Sequence, residues 1–581
     1  MLYNKIYNVK KRRMIEMKEK ISELVSTVLG LKQEELFNFL ETPQVKTNGD
    51  LSLPCFKLSK TLKQNPNIIA QNIGNALIMQ PLHEAGVHSV SVVGGYVNFF
   101  YKRDDIAKNI LTQPVNKQIE QIKQKERVII EYSSPNIAKH FKLYHIRSTM
   151  IGQSLANIHE SLGYDVVKIN YLGDWGTQFG NLMAAYTLWG NEQTVKKDPI
   201  NELSKLYVTF HQQSQKNLSL KKKGQEWFQK LENNDPEALR LWKWFKEESW
   251  SVFEKLYNEL NVSFDHVTGE SVYSKKGEEV VEELKKKQLA LLSQGAWIVS
   301  MTHQGIAPCI VKKQNGTTTY ATRDLAAAIE RQQQFQPSKM LYVVDQRQSL
   351  HFQQLFDVLK QLNNPIAHVA KHIPFGIMKV NGETGSTRQG KGLLLEDVLQ
   401  DAFDEAKKMI TTNKNSQVKQ ANIDEVAKQL SHAAIVFHDL KQHPSHEINF
   451  VQEEALSFEG KTGPYLQYTN ARIQSLLKKQ ANTKKMDIND LDVSNDLVWN
   501  IIMHLERYTK TLKEAAKKED PSQIARYLLE LAQLFNHFYA KERVITENEQ
   551  ETAGKLLLCK KVSEFLQHGL ALLCIESPEQ L

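Results

Sequence analysis

Cysteine is scarce. Cys55, Cys309, Cys559 and Cys574 are the only four in 581 residues. No two form a C-x-x-C pair, so neither a zinc ribbon nor a disulfide framework is supported, and a reducing cytoplasm is expected. Long apolar runs are missing too. None reaches the ~18 residues needed to span a bilayer. The opening MLYNKIYNVKKRRMIEMKEK lacks the apolar centre of a signal peptide, so neither export nor a membrane partner is expected. With 27 Gly and 16 Pro the chain is too poor in both to be collagenous or of low complexity. An excess of one charge sign is nearly absent: 74 Lys+Arg against 66 Asp+Glu leave +8, which favours an anionic partner only where cations cluster. What remains is an ordinary soluble composition, 41% hydrophobic and 24% charged. Its length allows about four domains at roughly 150 residues each.

The pattern along the chain predicts a multidomain α/β protein. Residues 1–17 are a basic, solvated extension to which no function is given. Residues 18–112 mix helical stretches (ISELVSTVL, Ile68–Leu77) with the alternating HSVSVVGGYVNFF and predict a small α+β domain. The polar stretch 113–125 reads as a linker. Within 126–395 the apolar run VIIEY (Val128–Tyr132) precedes the turn SSPN. A helix follows, with Ile146, Met150, Ile151, Leu155, Ile158 and Leu162 at helical spacing up to Gly163, and then a second strand, VVKINY. Strand, helix and strand in succession are the βαβ unit of a parallel, Rossmann-like sheet. A long helical pattern over about 190–304 reads as an insertion, including a Trp-rich helix from Glu237 to Leu260 with Asp235 as cap and Pro236 at its first position. Its Trp242, Trp244, Phe245, Trp250 and Phe253 read as a core stripe and not as a site. The βαβ rhythm resumes with YATRDLAAAIERQ, MLYVVD and SLHFQQLFDVLKQL. From Glu396 onward the pattern is helical, giving connecting helices over 396–450 and a helical bundle over 451–581.

Chemistry concentrates at the first strand-to-helix turn. Asn136, Lys139, Lys142 and His145 converge where free backbone N–H groups and a positive helix end favour a phosphate or carboxylate. Gly173-Asp174-Trp175-Gly176-Thr177-Gln178 follows the second strand at its carboxyl end, where open α/β sheets bind ligands.

Seven strings carry a resemblance over nearly the whole chain: EYSSPNIAK with IRSTMIG, YLGDWGTQFG, YATRDLAAA, SLHFQQLF, STRQG and TGPYLQYTNAR. In this order and spacing they resemble the bacterial arginyl-tRNA synthetases, class I aminoacyl-tRNA synthetases. The resemblance implies an arginine-tRNA ligase that joins arginine to ATP as an adenylate and transfers it to the terminal adenosine of tRNA(Arg). It implies a class I catalytic domain, an N-terminal domain holding the tRNA elbow and a helical anticodon-binding bundle. It also implies magnesium accompanying ATP, no structural metal, and a monomer. An arginine pocket needs fixed carboxylates and amide oxygens, because a buried guanidinium is costly without them. By resemblance Glu131, Asn136, Tyr320, Asp324 and Gln348 form it. Catalysis is expected from Lys139, Lys142, His145, Arg388 and Lys391. ATP contacts are expected from His145, Gly173, Asp174, Gly176, Thr177, Ser386 and Thr387, and tRNA contacts from Tyr465, Tyr468 and Arg472.

Two motifs depart from the family. At H-x-G-H the chain has Lys142-Leu143-Tyr144-His145, which puts a phenol where the family has glycine and the adenine passes. At M-S-T-R-K-G it has Gly385-Ser386-Thr387-Arg388-Gln389-Gly390. The alternative these departures suggest is an impaired, synthetase-like paralogue that binds tRNA or arginine without efficient charging.

Overall fold

The computed structural model describes residues 18–41, 43, 49–80, 82, 86–119, 125–302, 305–380, 382–384, 394–412, 418–479 and 486–581. The basic extension 1–17 and the altered loop from Gly385 to Lys391 lie outside them. The chain divides into two compact units. One comprises Met1–Gln118, Leu476–Thr509 and Leu531–Phe565, and the other Ile119–Ser475, Lys510–Glu530 and Leu566–Leu581.

The second unit is built on five parallel strands: Arg127–Glu131 (β1), Asp165–Leu172 (β2), His266–Gly269 (β3), Lys339–Asp345 (β4) and Ala370–Phe375 (β5). Their order is β5-β4-β1-β2-β3. Val128, Ile129 and Ile130 on β1 are fully buried, as a strand covered on both faces requires. The helices that matter for the site are Leu143–Ser161 (α1), Thr177–Trp189 (α2), Pro236–Glu259 (α3), Tyr320–Phe335 (α4) and Ser349–Gln361 (α5). The chain passes from β1 to β2 on one side and later sets β4 on the other side of β1. A crevice therefore opens outside the carboxyl ends of β1 and β4, the switch point at which such sheets hold ligands.

Helix α1 lies close on the end of β1 because of one glycine. A Cβ on Gly152 would fall 2.2 Å from Cγ of Tyr132, so no larger residue permits this approach. The Tyr132 hydroxyl lies within donating distance of Gln153 Oε1, at 2.7 Å, and of the Ser263 carbonyl, at 3.0 Å, which share its one hydrogen. Farther toward its start, the fully buried Arg147 donates from Nε to Asp439 Oδ1 at 3.0 Å and from Nη1 to the Gly376 and His446 carbonyls at 2.6 and 2.8 Å. This fixes α1 against the end of β5 and the helix Ile423–Leu440.

Two stretches expected to be wholly helical are not. Within 190–304 lie β3 and the hairpin Ala290–Ser293 with Ala296–Val299, which joins Cys309–Lys312 in an antiparallel sheet. Beyond Glu396, Ile448–Phe450 pairs in parallel with Met378–Val380. These strands have three or four residues each, too few to display a period of two, and β3 is only partly buried. The Trp-rich helix begins at Pro236 as expected, with the Asp235 carboxylate accepting from the N–H groups of Glu237 and Ala238.

In the first unit, Leu51–Pro54, Tyr96–Tyr101 and Val87–Val93 form an antiparallel sheet in that order. It packs on helix Pro66–Ile78 and on residues 18–29, which are helical. Arg103 pairs with Asp50 at 2.6 Å and lies over the Trp499 ring at 5.0 Å. In the expected linker, Val115–Gln118 forms a helical turn with Val115 buried.

Candidate functional site

The turn after β1 is more self-contained than its sequence suggests. Ser133, Ser134 and Ala138 adopt φ of +70°, +48° and +57°, conformations that cost energy for residues other than glycine and persist only where the surroundings impose them. Those surroundings are identifiable. The Ser133 N–H donates to Ser148 Oγ at 3.0 Å, that of Ser134 to Asn170 Oδ1 at 3.2 Å, that of Ile137 to the Gly173 carbonyl at 3.3 Å, and that of Ala138 to Ser249 Oγ at 2.9 Å. The expected nest of free N–H groups is thus corrected: four of them are engaged by the protein itself. Asn136 bridges to Gly173 across the two strand ends, and a Cβ on Gly173 would lie 2.3 Å from Asn136 Oδ1. Gly173 is there to make room for Asn136.

Three carboxylates gather on one side of the crevice. Glu131 ends β1, Asp324 lies in the first half of α4, and Glu270 follows the carboxyl end of β3. Each has a cationic or hydrogen-bonding partner. Arg331 Nη1 lies 2.5 Å from Glu131 Oε2. Arg323 donates from Nε and Nη2 to Glu270 Oε2 at 3.0 and 2.7 Å. His351 Nε2 lies 2.7 Å from Asp324 Oδ2. Burial pushes the carboxyl pKa of Glu131 above its ordinary range, with Arg331 opposing and the Asp324 charge adding to the rise. Burial does the same to Glu270, again with its arginine opposing and Asp324 adding. The three negative charges therefore feel one another, and a further cation would relieve them.

Their accessibility separates them. The side chains of Asp324 and Glu270 are 24% and 23% exposed, whereas that of Glu131 is 7% exposed and already faces a guanidinium. Glu131 is thus buried against its guanidinium, and Asp324 and Glu270 are the two partly open carboxylates. Sequence reasoning missed Glu270 because β3 was unread, although a Glu at a strand's carboxyl end was the signal. Arg323, next to Asp324 in the chain, holds Glu270. Tyr320, at the first turn of α4, is 53% exposed with its ring centroid 4.8 Å from that of His351. Gln348 is exposed just beyond β4. The Tyr171 hydroxyl nearby is buried without a hydrogen-bond partner among the described residues, and the Arg331 guanidinium lies 5.2 Å from its ring.

The start of α1 provides the opposite charge. Lys142 is its N-cap residue, and its N–H donates to His145 Nδ1 at 2.9 Å, so the ring hydrogen of His145 resides on Nε2. Burial, followed by the charges of Lys142 and Lys139, pulls the His145 pKa down to about 3. At neutral pH it is an uncharged donor. Burial and then Lys142 also lower the Lys139 ammonium from its ordinary value. Two ammonium groups close enough to repel, at a helix N-terminus, make a field suited to phosphates. Tyr144 is 38% exposed, with its ring 4.2 Å from that of His145. Burial raises its hydroxyl pKa, with Arg347 opposing and Asp345 adding.

Asp174 takes a role different from the one expected. It is fully buried, and its carboxylate is held by Lys246 Nζ at 2.7 Å and by the Ser271 N–H and hydroxyl at 2.8 Å each. It braces the loop from within. Lys246, Trp242, which donates from Nε1 to the Asp174 carbonyl at 2.8 Å, and Ser249 all come from α3. The Trp-rich helix therefore supports the site. Gly176 caps α2 and Thr177 begins it; with Trp175, Tyr320 and Arg323 they line a cavity of about 980 Å³. In helix Gly463–Lys479, Tyr468 is 37% exposed, with the Arg472 guanidinium 4.8 Å from its ring, and Tyr465 is half-buried. Ser386, Thr387, Arg388 and Lys391 lie outside the described residues.

Comparisons with known proteins agree over the whole length. Residues 106–451 match the catalytic domain of the class I tRNA synthetases (R), residues 466–581 the DALR anticodon binding domain, and residues 16–101 the arginyl tRNA synthetase N terminal domain. The chain is 42% identical over 573 residues to arginine–tRNA ligase 1 of Bacillus cereus, covering 98% of this chain and 100% of that one. It is 41% identical over 569 residues to the arginine–tRNA ligase of Exiguobacterium sibiricum, covering 97% and 100%. In fold it resembles the Thermus thermophilus arginyl-tRNA synthetase, with a TM-score of 0.75 at 23% identity over 97% of this chain and 99% of that one.

Proposed function

The chain belongs to the class I arginyl-tRNA synthetases, and from that premise we propose that it charges tRNA(Arg) with arginine through two oppositely charged halves of one crevice. The arginine carboxylate attacks the α-phosphate of ATP and pyrophosphate leaves. The terminal ribose hydroxyl of the tRNA then attacks the arginyl carbonyl and AMP leaves. Asp324 and Glu270 receive the guanidinium beside the Tyr320 ring, and Glu131 sets the charge beneath them. Asn136 and Gln348, beyond β1 and β4, complete the pocket. Lys139, Lys142 and the Nε2 hydrogen of His145 meet the phosphates, joined by Ser386, Thr387, Arg388 and Lys391. Fixed donors of this kind stabilise the charge that develops on the α-phosphate and on pyrophosphate. Magnesium enters with the triphosphate, bound by phosphate oxygens. Among the described residues, no three His, Cys, Asp or Glu gather into a metal cage.

In this reading Tyr468, with Arg472 on its ring, and Tyr465 contact tRNA from the helical bundle over 451–581, and residues 18–112 hold its elbow. The enzyme acts as a monomer in the cytoplasm. Its four described cysteines are all free and buried, in keeping with a reducing compartment. No described helix is long and apolar enough to cross a membrane. The observation that carries the reading is the pair of partly open carboxylates, Asp324 and Glu270, on a sheet whose first strand leads through Lys139 and Lys142 into α1. Relatives named as ligases over their full length give no support to binding without charging. The test is charging of tRNA(Arg) with labelled arginine by the purified chain. Arginyl-tRNA should form, and tRNA binding without charging would reverse the conclusion in favour of the impaired paralogue.

A further inference from the structure

Each open carboxylate of the acidic side has one oxygen occupied by the protein. On Glu270, Arg323 takes Oε2 twice. On Asp324, His351 takes Oδ2. His351 is not part of the arginine pocket expected by resemblance. It sits in the first turn of α5, its side chain 6% exposed, with Tyr320 on one side at 4.8 Å and Phe352 on the other at 5.2 Å between centroids. A carboxylate only accepts, so His351 Nε2 must carry the hydrogen. Its Nδ1 is buried without a hydrogen-bond partner among the described residues.

From this geometry we propose that His351 is the positioning residue for Asp324: it locks Oδ2 and leaves Oδ1 turned to the substrate guanidinium. Donating to Oδ2, it orients the carboxylate and leaves Oδ1 as an open acceptor. Two carboxylates, each fixed by one oxygen, offer a pair of acceptors at a set spacing, which a planar guanidinium spans and a compact ammonium does not. An unlocked Asp324 would turn about its side-chain bonds and present that spacing only part of the time. The inference rests on the pocket assignment made above, and the experiment separates the two.

Arginine and ATP kinetics are measured by pyrophosphate exchange, with tRNA(Arg) present, on the full chain and on His351→Ala, His351→Gln and Asp324→Asn, each with its melting temperature. A hydrogen bond to a charged group is worth enough that KM for arginine should rise about tenfold or more in His351→Ala. In the same variant kcat and KM for ATP should stay near the parent values. His351→Gln, whose amide can donate to the same oxygen, should recover most of the loss. A normal KM for arginine in His351→Ala alongside a raised one in Asp324→Asn overturns the positioning role while the pocket stands. Equal losses of kcat, both KM values and melting temperature in the Ala and Gln variants also overturn it, because they mark a purely structural residue. An unchanged KM for arginine in Asp324→Asn removes the pocket itself. If His351→Ala does not fold, His351→Gln decides: a folded protein with a near-parental KM for arginine supports the proposal, and one as impaired as Asp324→Asn overturns it.

Discussion

The two sides of the crevice solve opposite electrostatic problems. On the acidic side every carboxylate has a built-in partner: Arg331 for Glu131, Arg323 for Glu270 and His351 for Asp324. On the basic side burial, with the charges of the neighbouring lysines adding, depresses Lys139 and holds His145 uncharged, and among the described residues neither the Lys139 nor the Lys142 ammonium is ion-paired. The acidic side thus carries its own counter-charges, whereas the basic side carries none, which under the proposed function leaves it to the substrate's phosphates.

The largest effect should come from breaking a buried pair on the acidic side. Glu131→Gln leaves the Arg331 guanidinium buried and unpaired, which should cost about 3–5 kcal/mol in denaturant-induced unfolding. A loss under ~1 kcal/mol, the scale of a surface ion pair, would mean that the two charges are not held as a pair. Glu270→Gln should lower kcat/KM for arginine by about a hundredfold, in the range for truncating one partner of a desolvated charge pair, with KM for ATP little changed. Equal effects on both substrates would erase the division between the sides. Lys139→Ala should lower kcat for pyrophosphate exchange by about 10²-fold, the typical cost of one preorganised donor, with KM for arginine preserved.

Stability should also depend on pH. Burial holds His145 at about 3 and His159, His432 and His438 at about 4 in the folded chain, against about 6.5 when unfolded. The unfolded chain therefore binds more protons between these values, so stability is full above about pH 6.5 and falls as pH drops toward 4. The melting temperature should be level from pH 8 to 7 and decline below 6. A level profile down to pH 5 would show these rings to be solvated.

Much of this was legible in the sequence where elements are long. β1, α1, β2 and β4 carry β-branched runs or apolar residues at helical spacing, and the motif strings led to Asp324, Lys139 and His145. β3 was not legible, since four partly buried residues show no period, and Glu270 was lost with it. Nor was the bracing of Asp174 by Lys246, 72 residues away in the chain, or the pairing of Asp324 with His351. Such partners are set by how helices pack on the sheet, which periodicity does not encode. Tyr144 was the opposite case: the sequence flagged it, and in the structure it is 38% exposed beside the His145 ring, outside the core.

The claim beneath all of this is that charge on Asp324 and Glu270 selects the substrate, and citrulline, the uncharged counterpart of arginine, tests it most directly. Pyrophosphate exchange by the unmodified chain with ATP and tRNA(Arg) should proceed with arginine and stay at background with citrulline at equal concentration. Exchange at comparable rates with both would contradict it.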